Sequence, residues 1–418
     1  MQPTLHCRFF IALLLICTFS YSQKNSRLID SILNSDSFLK KIAVAKKKHK
    51  LQIIYTQINR NADNFPSFKN YPYALDSLNY FYPASTVKLP CAIFALEKLN
   101  YLKIQGLNKT TYMQTDSAYL CQKKFRIDSS AQNGLPSIEH YIKKMFLVSD
   151  NNAYSRLFEF LTPMQINQGL RQLGHPTARI VHRLDPACVK GGNKYFNPIT
   201  FLNDAGDTLY TQMADSLQEE FKMPFKNLNL GRNIYNKKKK LISEKKDFSK
   251  SNYLPLNIIH QTLRNLVFWD YLPENKRFNL SKDDQQFLVK YLGMYPKESD
   301  YPKYDTTIFI DSFKKYFIYG SSVKHIETDS LRIFNIVGRA YGFQIDCAYI
   351  VDFQSKIEFM LSTVIYTNSR NSFGSGKYEY DSIGLPFLKE LSLALYRFEK
   401  NRNKKYLPNL NAFNFYKK

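Results

Sequence analysis

Between residues 87 and 99 the chain carries Val87, Leu89, Ala92, Ile93, Ala95, Leu96 and Leu99, which cover most faces of a helix. A helix that is apolar nearly all round has to be buried, so the rest of the fold must wrap around this segment. The segment is entered through Tyr82-Pro83-Ala84-Ser85-Thr86-Val87-Lys88, and a helix is predicted from Ser85. Ser85 and Lys88 then share one helix face. A serine hydroxyl is a weak nucleophile until a base takes its proton. A lysine amine held close and partly desolvated has a lowered pKa and suits that task. The start of a helix adds unpaired N–H groups and the positive end of the dipole, both favourable to a developing oxyanion. By itself, S-x-x-K reads equally well as an N-cap serine and a solvated first-turn lysine. What favours chemistry is a second polar stretch, Ser149-Asp150-Asn151.

The pattern around these two stretches predicts the architecture. Residues 25–50 read as one helix with an apolar stripe of Ile29, Ile32, Leu33, Leu39, Ile42 and Val44. Residues 51–58 alternate as a strand, and a second strand is predicted near 73–78. Residues 137–146 form a helix capped by Ser137, and 153–161 another. Thr162-Pro163 opens a third that stops at Gly174. Ser149, Asp150 and Asn151 fall in the connection between the first two. Residues 182–210 read as loop, and 224–252 as a basic, mobile insertion. Helices resume over 256–272 and 281–292. Strands follow over 331–337, 342–351 and 356–366, with a hairpin turn at 352–355. A polar loop at 367–377 leads to a closing helix over 381–400. The expected class is α/β (α+β): an antiparallel sheet from about 50–80 and 331–366, flanked by terminal helices, plus an all-α subdomain over about 85–300.

The formal charge is +24. The lysines are spread widely, the dense run Lys237-Lys238-Lys239-Lys240 stands alone, and no nucleic-acid motif accompanies it, so nucleic acid is not the expected partner. Contact with an anionic cell-envelope surface is the alternative. At the start, Arg8, an apolar run over 9–19 and Ser20-Tyr21-Ser22 read as an export signal of residues 1–22. The catalytic domain would then be 23–418 and its place periplasmic, with lipidation at Cys17 as the alternative. Cys91, Cys121, Cys188 and Cys347 form no C-x-x-C pair, so no metal is expected, and Cys91 reads as a buried small hydrophobe. The seven histidines form no H-E-x-x-H, and Ser85 lacks a G-x-S-x-G elbow. Zinc and Ser–His–Asp mechanisms are excluded on those grounds, and no cofactor is expected.

Ser85-x-x-Lys88 followed by Ser149-Asp150-Asn151 resembles the class A serine β-lactamases and the related penicillin-binding proteins in order, spacing and local structure. The resemblance covers about residues 25–400 and implies a serine β-lactamase/DD-peptidase-like fold. It implies that Ser85 is acylated, that Lys88 is its base, and that Ser149 relays a proton to the leaving nitrogen. Asn151 would bind the substrate amide and steady Lys88, and Asp150 would be structural. The family's third motif, K-T-G, corresponds to Ile336-Val337-Gly338, of which only the glycine is present, with Arg339 next in line. Val337, Gly338 and Arg339 are the expected substrate-binding strand residues. The Arg339 N–H would serve as second oxyanion donor, and Arg339 or Lys324 would stand in for the absent lysine. The deacylating glutamate of the class is also absent from 182–197, and Asp185 is the carboxylate at that chain distance. It would activate water, or else cap its turn or pair with Arg183. The implied activity is hydrolysis of a β-lactam through an acyl-Ser85 intermediate. A D-Ala-D-Ala peptidase or slow penicillin-binding protein acting on peptidoglycan peptides is the first alternative. A decayed envelope-binding protein is the second.

Overall fold

Five antiparallel strands make the central sheet. The computed structural model describes residues 25–119, 122–185, 192–218, 220–223, 225, 228–236, 238–327 and 330–416. The expected export signal over 1–22 and its Cys17 alternative lie outside them, as do Cys121, Cys188, Pro186, Gly191 and Lys237.

The described residues begin with two helices, α1 (Arg27–Asn34) and α2 (Ser37–Val44), rather than the single helix expected over 25–50. Asp36 makes the break. Its backbone is extended, and its Oδ1 accepts from the amides of Phe38 and Leu39, both at 2.9 Å, so it caps a new helix inside the apolar stripe. Val44, expected in the stripe, is exposed. Strand β1 (Gln52–Arg60) then pairs with β2 (Pro66–Tyr73). The second strand had been expected at 73–78. The Asn61 side chain instead accepts from the Phe65 amide at 2.7 Å and closes the hairpin early, and the chain bends away at Ala74 (φ 48°). Pro66 and Pro72 are tolerated because β2 is an edge strand.

Helix α3 (Lys88–Leu102) follows, and its residues 88–96 are all buried. Strand β3 (Tyr112–Thr115), helix α4 (Ile138–Val148) and helix α5 (Asn151–Gln172) come next. The Ser137 side chain caps α4 by accepting from the His140 amide at 3.2 Å. Within α5, the non-helical Thr162 (φ 58°, ψ 156°) separates two helical segments, and Pro163 opens the second as expected. The predicted loop over 182–210 contains β4 (Ile199–Leu202) and the start of β5 (Thr208–Gln212), which join β3 in a small sheet. These strands are four and five residues long, too short for alternation to mark them.

The stretch over 224–252 is not a free insertion. Residues 229–230 pair with 246–247, and 233–235 pair with 241–242. The 233–235 strand also pairs in parallel with Ser372–Phe373. Phe248 is fully buried among the rings of Tyr80, Tyr82, Tyr341 and Phe373. The lysines of the basic run that the structure describes, Lys238 to Lys240, sit at the exposed tip, where the Asn236 Oδ1 closes the turn.

Helices α6 (Leu256–Val267) and α7 (Lys282–Gly293) complete the helical block. Strands β6 (Leu331–Ala340), β7 (Phe343–Asp352) and β8 (Ile357–Tyr366) follow as expected, and α8 (Leu385–Asn401) closes the chain. The sheet order is β6-β7-β8-β1-β2. One face packs Ile333, Val337, Ile350, Phe359 and Ile53 against α1, α2 and α8. The other packs Phe334, Ile336, Ile345, Cys347 and Ile54 against the helical block. Burial on both faces explains why β7 and β8 read as nearly continuous apolar runs.

Candidate active site

Polar groups from three parts of the chain meet where α3 begins. Residues 84–87 form a single 3₁₀ turn that runs into α3, with the Thr86 amide (3.1 Å) and hydroxyl (2.7 Å) both donating to the Pro83 carbonyl. Ala84 enters this turn at φ 48°, a left-handed conformation that costs a non-glycine residue of order 1 kcal/mol. From residue 80 to 96 every residue is buried except Ser85. The turn therefore presents one hydroxyl to the outside and hides everything around it.

The Lys88 Nζ lies 3.0 Å from Ser85 Oγ. It also lies 2.6 Å from the Ser149 carbonyl, 2.9 Å from Ser149 Oγ and 2.8 Å from Asn151 Oδ1. Burial pushes the Lys88 ammonium down to about 7, against a smaller opposing pull from the Asp150 carboxylate. The partners then decide what a neutral amine would do. The Ser149 carbonyl and the Asn151 Oδ1 can only accept, and they take the two N–H groups. The lone pair is left for a hydroxyl, and both candidates are serines. The far end of the Asn151 amide donates to the Leu184 carbonyl at 3.5 Å, consistent with its oxygen facing Lys88.

Ser149 reaches Lys88 because it closes α4 in the left-handed conformation (φ 60°, ψ 40°). Its amide still donates to the Met145 carbonyl at 3.1 Å. Asp150 caps α5 by accepting from the Ala153 amide at 2.8 Å. The S-D-N stretch is thus a helix end, a cap and a helix start.

Gly338 of β6 packs on the nucleophile turn. A Cβ there would fall 2.6 Å from the Pro83 carbonyl oxygen and 3.2 Å from Ala84 Cβ. Its neighbours point the other way, as alternation requires. Val337 packs with the terminal helices. The Arg339 guanidinium lies 5.4 Å from the Tyr380 ring centroid and 3.8 Å from Asp381. Gly338 alone of the three brings a side-chain position to the Ser85 face, and the Arg339 side chain expected to stand in for the lysine lies on the opposite face. Lys324 is exposed, and Ile336 is buried in the core.

The segment over 182–185 lies along α5. The Ser155 hydroxyl donates to Asp185 Oδ1, and the Tyr154 hydroxyl donates to the His182 carbonyl at 3.3 Å. Arg183 does not pair with Asp185, as one reading had it. Its guanidinium binds Glu159 at 2.9 Å and donates to the Gly192 and Tyr195 carbonyls at 2.9 and 2.7 Å. Glu159 and Asn252, whose Oδ1 accepts from the Val181 and His182 amides, were not singled out from sequence. A lone buried carboxylate or amide has no spacing signature. The His182 ring stacks on Tyr82 at 6.0 Å with 6° between planes, which ties this segment to the entry of the nucleophile turn.

A serine hydroxyl beside a buried lysine of lowered basicity, and a second serine on that lysine, set between an antiparallel sheet and a helical block, are the arrangement of a β-lactamase-like serine hydrolase. The model of the β-lactamase enzyme family matches residues 35–218, which hold Ser85, Lys88, Ser149 and Asn151. That match supports a likeness of the chain to the serine β-lactamases and penicillin-binding proteins. Among solved structures, the β-lactamase of Sphaerobacter thermophilus DSM 20745 is similar at 12% identity and a TM-score of 0.47, over 88% of this chain and 98% of that one. The class A β-lactamase of Clostridium kluyveri DSM 555 is similar at 14% identity and a TM-score of 0.46, over 86% and 97%. No curated protein matches the chain.

Proposed function

We propose that this protein is an exported, periplasmic enzyme that hydrolyses β-lactam amides through an acyl-Ser85 intermediate. The observation that carries the reading is the Lys88 amine 3.0 Å from Ser85 Oγ, with its two obligate acceptors already in place. In this reading Lys88 takes the Ser85 proton as the hydroxyl attacks the lactam carbonyl. The amides of Ser85 and Arg339 hold the oxyanion. The C–N bond breaks as Ser149 passes its proton to the nitrogen and regains one from Lys88. Asn151 binds the substrate's side-chain amide. Asp185 activates the water that frees Ser85.

Intact-protein mass spectrometry after brief penicillin exposure tests this. A transient adduct that disappears in Ser85→Ala is expected. A lasting adduct would replace hydrolysis with penicillin binding. No adduct, or one that survives in Ser85→Ala, would end the reading.

A further inference from the structure

A second lysine is buried behind Ser149. Lys314 lies outside both motifs, in the segment before β6, and is 8% exposed. Its Nζ donates to the Phe146 carbonyl at 2.9 Å and to the Met145 carbonyl at 3.3 Å, the last turn of α4. The Met145 carbonyl is the one that also accepts from the Ser149 amide. One oxygen therefore joins Lys314 to the backbone of the residue whose hydroxyl and carbonyl hold Lys88.

Lys314 is itself held from the sheet. Its carbonyl accepts from Asn335 Nδ2 at 2.9 Å, and that nitrogen also donates to Asp346 Oδ1 at 2.9 Å. Lys315 donates to Asn335 Oδ1 at 2.9 Å and to the Leu292 and Ile333 carbonyls, both at 2.8 Å. The Lys314 amide donates to Ser321 Oγ at 3.1 Å, and the residue has φ 64°. A left-handed lysine in a buried network is costly, and such cost persists only where surrounding contacts fix it. Burial holds the Lys314 ammonium far below its ordinary range, with the charges of Lys88 and Lys315 acting the same way and Asp346 opposing. A neutral amine can still donate to both carbonyls, and it does not compete with Lys88 for charge.

We propose that Lys314 is a positioning residue for leaving-group protonation, gripping the end of α4 so that Ser149 stays where it can pass its proton. The inference rests on the acyl-transfer reading of the site. It makes a chemical prediction that a general packing role does not. A lactam nitrogen leaves as an amine and needs the proton, whereas a nitrophenyl ester leaves as a phenolate and does not. Both acylate Ser85.

Lys314→Met keeps length and burial and removes the donors. Acylation by penicillin should fall by at least about tenfold, a part of what general acid catalysis supplies, while acylation by a p-nitrophenyl ester stays within about threefold. Ser149→Ala should show the same split. Equal loss of both rates, or no loss of either, overturns the proposal. If Lys314→Met does not fold, Lys314→Gln retains a shorter donor and should show a smaller split in the same direction, with equal losses again overturning it. A wild-type chain that takes the ester but no penicillin would sink the lactamase reading alone. Lys314 would then be judged on the ester against an anilide of the same acyl group, where an unchanged ratio in the variant refutes it.

Discussion

Gly338 and Pro83 touch: a Cβ on the glycine would stand 2.6 Å from the proline's carbonyl oxygen, and that oxygen is the one that closes the turn under Ser85. The edge strand and the nucleophile turn are in backbone contact, so neither can move without the other. Gly338→Ala should shift the turn, cost about 1–3 kcal/mol of stability as overpacking does, and slow Ser85 acylation by more than the stability loss explains. Urea unfolding and a penicillin adduct time course measure the two effects. A variant with a native acylation rate would show that the turn tolerates displacement.

The proposed base role of Lys88 carries a pH dependence. Its folded value is about 7, so acylation should fall about tenfold per unit below that pH as the amine becomes protonated. An unfolded lysine titrates near ~10.4, so between the two values the unfolded chain holds more protons and the Lys88 contribution to stability rises with pH. Lys88→Ala should slow acylation by orders of magnitude, and Lys88→Arg should not restore it, because a guanidinium stays protonated. A flat rate from pH 5 to 8 would remove Lys88 from the base role.

In the proposed mechanism Asp185 activates the deacylating water. Asp185→Asn should leave the acylation burst intact and stall the steady state, because Lys88 serves the first step and the loop carboxylate the second. Ser155→Ala, which removes the hydroxyl that holds the carboxylate, should slow deacylation in the same direction and less severely. Single-turnover kinetics separates the steps, and unchanged deacylation in Asp185→Asn would make the residue a structural one.

Arg339 should matter through its backbone and not its side chain. The guanidinium lies on the strand face opposite Gly338, and its 3.8 Å contact with the exposed Asp381 is a weak, screened pair. Arg339→Ala is therefore expected to change acylation less than about threefold, alike for β-lactams with and without a carboxylate. A selective loss for carboxylated substrates would bring the side chain back into the site.

Where residues repeat with a period or stand in a fixed spacing, the sequence was legible. The all-round apolar run of α3, the cap at Ser137, the three long strands and the S-x-x-K and S-D-N placements are of this kind. What failed was set by single side chains acting across the chain. Asp36 splits an apolar stripe that looks continuous, and Asn61 closes a hairpin well ahead of the expected second strand. Lys314 belongs to no periodic element, so only three-dimensional packing brings it to the end of α4. Low hydrophobicity made 224–252 look unpacked because Phe248, one residue in a polar stretch, carries its attachment.

That attachment divides the stretch into parts with opposite tolerance for change. Its base is a brace: Phe248 joins Tyr82, ahead of the nucleophile, to Tyr341, beyond the edge strand, and Ser372–Phe373 pairs with it from the other side. Its tip, with Lys238 to Lys240, touches none of these rings. Sequence and length can therefore drift, or a reporter be spliced in, at the tip without reaching Ser85, whereas trimming the stretch away would remove the ring that holds Tyr82 and Tyr341 together.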